Sequence, residues 1–248
     1  MNMSTGPTPG TLYLVPVNLA APFSVDGILP RDVAATTRSL SHFIVENAKS
    51  ARAFLKAIGT TRPLADLAII ELDKHRDATA ADIAAWLAPL RAGHHVGLMS
   101  EAGAPGVADP GADVVAAAHA AGIVVRPLVG PSSLLLALMA SGLNGQSFAF
   151  HGYLPQDRAV RTRQLLKLEK QSREERRTQI AIETPYRNAA LFDDLLKALS
   201  PDTRLCIAAD LTGAHEFILT RSIAQWRAPM QVAPPFAERV PAMFLFLA

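Results

Sequence analysis

The segment 100–111 has the residue types and spacing of a ligand-binding turn. It follows an apolar run over 95–99 that predicts a buried strand, and it precedes an Ala/Val-rich run over 112–121 that predicts a helix. Its three glycines let the backbone approach a ligand closely, and its two prolines hold the loop in a fixed shape. Ligands of α/β sheets bind beyond the carboxyl ends of the strands, where such turns lie. The same composition also fits a purely structural turn, with Asp109 as helix cap and Pro110 at the first helical position.

A second candidate binding motif is the pair Ser132 and Ser133, which opens an apolar run over 134–140. This run predicts a helix. A helix N-terminus that carries two hydroxyls and unpaired amides suits an anion such as a carboxylate or a phosphate. Two ordinary capping serines would give the same local sequence, so both interpretations stand.

Four titratable side chains follow predicted strands and are candidates for a general base. They are Glu46, His151, Glu183 and Asp210. Histidine is the side chain that titrates nearest to neutral pH. A polar residue at the end of a strand also often only caps the loop that follows it, so the sequence does not choose among the four.

Short apolar runs alternate with amphipathic segments of about ten residues along the first half of the chain, which predicts βαβ units and a parallel sheet. The break at Gly130 and Pro131 predicts a boundary between an N-terminal α/β domain, residues 11–130, and a C-terminal α+β domain, residues 131–248. Residues 1–10 are polar and rich in Pro and Gly, and this composition predicts a disordered tail.

The composition of the chain limits its function. The 248 residues carry a net charge of only +2, which excludes a strongly basic nucleic-acid binder as a whole. Residues 158–177, however, hold eight basic and three acidic side chains, a pattern that fits either a phosphate-binding helix or a solvated helix face. The apolar stretches are too short to predict a membrane span, and the single cysteine, Cys206, fits a reducing, cytoplasmic compartment. The seven histidines lack the spacing of metal ligands, so no metal is predicted, and Trp86 and Trp226 are expected in the core.

Six loops taken together resemble one family, the tetrapyrrole methylases. The most specific is Ser-Glu-Ala-Gly-Ala-Pro-Gly-Val-Ala-Asp-Pro-Gly at 100–111, and the others lie at 12–17, 130–133, 151–155, 183–188 and 211–216. They occur in the order seen in that superfamily, and they are most similar to its branch that methylates a cytidine 2′-hydroxyl of 16S ribosomal RNA. The resemblance covers roughly residues 11–248.

The resemblance implies a homodimeric methyltransferase that binds S-adenosylmethionine (AdoMet) in a cleft between two α/β domains, the first with a parallel sheet and the second with a mixed sheet. It also implies an RNA substrate, and the basic segment 158–177 is then the candidate contact to the RNA phosphates. Glu101 would face the positive charge of AdoMet, and the serine pair would face its carboxylate. Carried onto this chain, the cofactor-binding positions are Pro16, Val17, Glu101, Gly103, Ala104, Ser132, Ser133, Tyr153, Leu211 and Pro241.

Several positions depart from the pattern of the ribosomal RNA branch and indicate a divergent member. The loop at 16–19 is shorter, Glu101 replaces an aspartate, and segments 46–49 and 238–242 carry different residues. All of these departures lie near the expected cofactor and acceptor sites. Three alternatives therefore remain: a methyltransferase for RNA, one for a small molecule or a protein, and a catalytically silent protein that still binds AdoMet.

Overall fold

The computed structural model describes residues 7–73, 76–229 and 233–248. It forms two compact units, the first ending at Ser132 and the second beginning at Ser133. The sequence placed this change two residues earlier. The first six residues of the predicted tail lie outside the described part of the chain. Gly10, in contrast to that expectation, is buried and donates its N–H to the Leu90 carbonyl oxygen over 2.7 Å.

The first unit alternates strands and helices as its sequence predicts. In chain order they are β1 (Leu12–Leu14), α1 (Val25–Ile28), α2 (Arg31–Ser39), β2 (His42–Val45), α3 (Ala48–Ile58), β3 (Ala68–Glu71), α4 (Ala80–Arg91), β4 (Val96–Met99), α5 (Ala112–Ala120) and β5 (Val125–Pro127). The five strands form one parallel sheet in the order β3-β2-β4-β1-β5.

Two apolar layers cover the two faces of this sheet. Side chains of a strand alternate between the faces, so that Phe43 packs with α2 and α3 while its neighbour Ile44 packs with α4 and α5. Trp86 of α4 lies buried in the second layer, as predicted. The helix that follows β1 and the helix that follows β4 therefore lie on opposite faces of the sheet.

The second unit is built around a mixed sheet. Its elements are α6 (Ser133–Ser141), β6 (Phe148–Tyr153), α7 (Arg158–Glu175), β7 (Thr178–Glu183), α8 (Asn188–Ala198), β8 (Arg204–Ala209), β9 (Phe217–Ser222), α9 (Ile223–Arg227) and β10 (Ala242–Leu247). The strand order is β6-β7-β10-β8-β9, with β6 and β7 parallel and the other pairs antiparallel. The predicted fold class, two α/β domains with a parallel and a mixed sheet, is thereby confirmed.

The core of the second unit lies between the sheet and helices α7 and α8. Alternate residues of β10, among them Phe244 and Phe246, join it. Trp226 is buried there as predicted and donates its indole N–H to the Leu205 carbonyl oxygen over 2.8 Å. A buried ion pair fastens α7 to α8, because Arg161 donates twice to the carboxylate of Asp194.

The histidines next to β4 pack against rings rather than assembling a metal site. His94 stacks on His42 with ring centroids 4.4 Å apart, and His95 meets Tyr13 edge-on. Burial, then the neighbouring His94, lowers the pKa of His42. Among the described residues, no group of three or more His, Cys, Asp or Glu could hold a metal ion. The described helices also include none with the length and apolar character needed to cross a membrane.

Candidate active site

The strand order of the first unit indicates a ligand crevice at the carboxyl edge of its sheet. Strands β1 and β4 are neighbours, but the chain leaves them toward helices on opposite faces. Such a point of divergence opens a gap between the two following loops, and ligands of α/β proteins bind in that gap. The loop after β1 and the turn at 100–111 form its two sides.

Backbone hydrogen bonds and one close contact hold the loops around this crevice. Val17 donates its N–H to the Gly103 carbonyl oxygen over 2.9 Å, which makes an isolated antiparallel bridge between the two loops. The segment after β5 joins them through Gly130, where a Cβ would lie 2.2 Å from Cγ of Pro16. Only glycine fits at that distance. The structure thus brings the predicted positions Pro16, Val17 and Gly103 together.

Gly103 lies where these loops approach one another closely. Its φ of +71° belongs to the left-handed region that favours glycine. A Cβ at this position would lie 3.0 Å from Cδ2 of Leu19, 3.6 Å from the carbonyl oxygen of Pro131 and 4.0 Å from Cα of Ser132. The missing side chain therefore leaves a small space, the Gly103 cradle, which is bounded by the Leu19 side chain and by the backbone of Pro131 and Ser132.

Glu46 braces the turn from the neighbouring strand β2. Its buried carboxylate accepts the N–H of Glu101 over 2.8 Å, and its own N–H donates to the Met99 carbonyl oxygen over 3.0 Å. The side chain of Glu101 itself is exposed. Glu46 was predicted as a candidate base. In the structure, its hydrogen bonds hold the start of the turn in place.

The far end of the turn differs from the sequence prediction. The residue at the N-cap position of α5 is Gly111, with φ of +126°, and the helix begins at Ala112. The prediction that Asp109 caps this helix and that Pro110 is its first residue is therefore wrong. A Cβ on Gly111 would lie 3.0 Å from Leu98, so the turn is pressed against β4 at this point.

Asp109 and Gly111 also line a cavity of about 290 Å³ on the side of α4 and α5. Trp86 contributes to its wall. Arg76, at its rim, lies 2.6 Å from Asp82 and 3.0 Å from Asp73. The Arg76 guanidinium holds the pKa of the Asp82 carboxyl well below its usual range. This cavity lies next to the Gly103 cradle along the turn but is lined by other residues.

Three predicted cofactor positions of the second unit, Tyr153, Leu211 and Pro241, lie at one edge of its sheet. Strands β6, β7 and β8 run in the same direction, and β10 begins where they end. At this edge Leu211 is buried, Tyr153 and Pro241 are exposed, and the Asp210 N–H donates to the Pro241 carbonyl oxygen over 3.0 Å. Ser133 is the first residue of α6.

Asp210 and His151 both have hydrogen-bond partners within the second unit. Asp210 has a left-handed φ of +49°, and its carboxylate accepts the N–H of His215 over 2.7 Å. A Cβ on Gly213 would lie 2.2 Å from that carboxylate, so the loop closes tightly around it. His151 shares a 2.6 Å hydrogen bond with the side chain of Gln179.

Glu183, the last of the four candidates for a base, is fully buried at the end of β7. Its Oε1 accepts the N–H of Thr184 over 2.7 Å. Its Oε2 lies 2.9 Å from the Arg187 guanidinium but is not aligned with an N–H, so the contact is an ion pair rather than a hydrogen bond. This pair was not predicted, because it depends on how the loop folds back on its own strand.

The chain matches known proteins over most of its length. Residues 33–226 match the family model of the tetrapyrrole (corrin/porphyrin) methylases. A protein of Xylella fastidiosa named ribosomal RNA small subunit methyltransferase I is 34% identical over 217 residues, which cover 88% of this chain and 74% of the relative. A protein of the same name from Synechocystis is 32% identical over 233 residues, which cover 94% and 76%.

Solved structures share the fold at low sequence identity. A uroporphyrin-III-C-methyltransferase from Thermus thermophilus superposes with a TM-score of 0.55 at 18% identity, covering 96% of this chain and 94% of its own. Cobalt precorrin-4 methyltransferase superposes with a TM-score of 0.59 at 12% identity, with the same coverage. A second Thermus structure, complexed with S-adenosylhomocysteine, has a TM-score of 0.52 at 16% identity and covers 96% of this chain and 97% of its own.

The sequence match and the fold agree with the expectation drawn from the six loops. The match includes the turn at 100–111 and the serine pair at 132–133. The backbone cradle at Gly103 fits a cofactor that must lie close against main chain. The chain is an AdoMet-dependent methyltransferase and belongs to the tetrapyrrole (corrin/porphyrin) methylase family.

Proposed function

We propose that this methyltransferase modifies RNA of the small ribosomal subunit at a ribose 2′-hydroxyl. The observation that carries the proposal is the similarity to two proteins named ribosomal RNA small subunit methyltransferase I, at 32–34% identity over 88–94% of this chain. The proposed reaction places the protein with ribosomes in the cytoplasm. The departures at 16–19, 46–49 and 238–242 mark this chain as a divergent member of that branch in our proposal.

AdoMet is proposed to lie against the Gly103 cradle. The bound cofactor supplies a methyl group that its sulfonium already activates, so the protein needs mainly to hold the acceptor in line with it, an effect worth roughly 7–11 kcal/mol. The backbone around Gly103 would hold the cofactor in place, because it is fixed by the bridge to Val17 and by the Glu46 carboxylate. The proposed contacts from the two units are Pro16, Val17, Glu101, Gly103, Ala104 and Ser132, then Ser133, Tyr153, Leu211 and Pro241.

The RNA is proposed to bind a row of cations on α7, which we call the basic stripe. It consists of Arg163, Lys167 and Lys170, which are exposed and spaced to share one face of the helix. Within the described residues, Arg163 and Lys167 have no acidic partner, and Lys170 has only a 3.8 Å contact to Glu174. Phosphate contacts by such side chains supply affinity without sequence preference.

The active form is proposed to be a homodimer, as the family resemblance implies. Leu135 and Met139 lie one turn apart on α6, and they are 52% and 78% exposed. The same helix buries Ala137 and Leu138 on its other side. Contiguous exposed apolar patches mark interaction surfaces, and we propose that these two side chains contribute to the dimer contact. Sedimentation should give twice the chain mass for the wild type, and the mass of one chain for a Leu135→Ser/Met139→Ser variant; a wild-type monomer would contradict the proposal.

The acceptor is tested with labelled AdoMet. The protein is incubated with small ribosomal subunits, total protein or small-molecule extract from a strain that lacks its gene, and the label is then located. The proposal requires label in the ribosomal RNA fraction, and mass spectrometry of its nucleosides should show a 2′-O-methylated ribose. Label in the protein or small-molecule fraction would replace this proposal, and label in none would favour the catalytically silent alternative.

A further inference from the structure

Tyr186 is an aromatic side chain held out into solvent. It is 80% exposed, although an aromatic ring normally buries much of its surface. It stands in the loop that follows β7, at the edge where β6, β7 and β8 end. Tyr186 is not part of the hydrophobic core of the second unit.

The turn that carries Tyr186 is closed by local hydrogen bonds. The Arg187 N–H donates to the Thr184 carbonyl oxygen over 2.9 Å, so Pro185 and Tyr186 occupy the two central positions. The Glu183 carboxylate accepts from Thr184 at one end and pairs with Arg187 at the other. Because both ends meet one buried carboxylate, the turn is fixed before any ligand arrives.

Further contacts fasten this turn to its neighbours. The buried Asn188 donates its side-chain N–H to the Val240 carbonyl oxygen over 2.8 Å. Arg187 also donates to the Leu154 carbonyl oxygen over 3.2 Å. That bond joins the residue after Tyr186 to the residue after Tyr153, whose own ring is 57% exposed. Two of the three tyrosines of the chain are therefore exposed at this edge, Tyr153 at the end of β6 and Tyr186 in the loop after β7.

We propose that Tyr186 stacks on an unpaired nucleobase of the RNA substrate, next to the ribose that accepts the methyl group. This inference rests on the proposed action on RNA. Proteins read single-stranded RNA by stacking bases on aromatic side chains, and every base offers a face to such a ring. A ring on a turn that is already fixed loses little entropy when it stacks. Tyr186 thus orients the acceptor nucleotide, whereas the basic stripe supplies affinity for phosphates.

The test measures steady-state methylation of small ribosomal subunits by Tyr186 variants. Tyr186→Ala should raise KM for RNA about tenfold, since one stacked base is worth about 1.4 kcal/mol or more. Tyr186→Phe should keep the wild-type KM, because stacking needs the ring and not the hydroxyl. Tyr186→Leu, which keeps apolar bulk without a π face, should behave as the alanine variant does. AdoMet affinity should stay unchanged in all three.

Tyr186→Trp provides a readout that does not depend on turnover. Trp86 and Trp226 are buried, so the new indole dominates quenching by added acrylamide. RNA should quench its fluorescence and protect it from acrylamide. A wild-type KM for Tyr186→Ala, or an equal defect in Tyr186→Phe, would overturn the stacking role while leaving RNA methylation intact. A wild-type protein that neither binds nor methylates RNA would overturn both proposals.

Discussion

Gly103→Ala is expected to lower the affinity for AdoMet at least tenfold. The new Cβ would lie 3.0 Å from Leu19 and would point into the space bounded by Pro131 and Ser132. The left-handed backbone at φ +71° costs a residue with a side chain a further 1–2 kcal/mol, roughly. The new Cβ would fill the Gly103 cradle, and the strain would shift its backbone. Both changes would remove binding surface that we propose for the cofactor. Calorimetric titration with AdoMet measures the affinity, and thermal unfolding reports whether the protein remains folded.

Gly106→Ala is the matched control for this variant. Gly106 lies in the same turn with nearly the same φ, +77°, but a Cβ there would meet nothing within 4 Å. The Gly106→Ala variant therefore introduces the same backbone strain without a steric contact. We expect its AdoMet affinity to stay within about threefold of wild type. Equal losses in the two variants would show that strain, and not occupation of the cradle, explains the effect.

Removing the basic stripe should have the largest effect on RNA binding. Arg163→Gln/Lys167→Gln/Lys170→Gln is expected to weaken binding to small-subunit RNA at least tenfold at low salt. The slope of log affinity against log salt should fall by about 3, one for each lost phosphate contact. These side chains are exposed, so the variant should fold normally. Filter binding over a series of salt concentrations measures both quantities.

Helix α3 offers a control with the same change in charge. Arg52 and Lys56 on that helix, and Arg62 shortly after it, are exposed. Their triple replacement by glutamine should leave the salt slope nearly unchanged. If the two triple variants lose the same affinity, binding follows total charge and the basic stripe has no special part in it.

The sequence predicted the parts of the fold that depend on local pattern. The alternation of strands and helices indicated the parallel sheet, and the composition at 100–111 indicated a turn between a strand and a helix. Its cap was mispredicted, because Asp109-Pro110 has a capping sequence but the chain turns once more through Gly111 before the helix begins. The Ala/Val-rich run over 112–121 had already indicated a helix that begins after Gly111.

The polar contacts that shape the candidate site could not be predicted from the sequence. Glu46 and Glu101 are 55 residues apart, and their hydrogen bond exists only because β2 and β4 pair in the sheet. The Glu183–Arg187 pair similarly requires the loop after β7 to fold back onto its strand. Glu46 and Glu183 were predicted as candidate bases, because the sequence shows that each is a charged residue at the end of a strand but does not show its partner.

A crystal structure with bound AdoMet or S-adenosylhomocysteine tests the central claim most directly. We expect the ligand to lie against the backbone of Gly103 and Ala104, within contact distance of Val17 and Ser132. A ligand bound away from the 100–111 turn, or no binding at concentrations that saturate related methyltransferases, would contradict it.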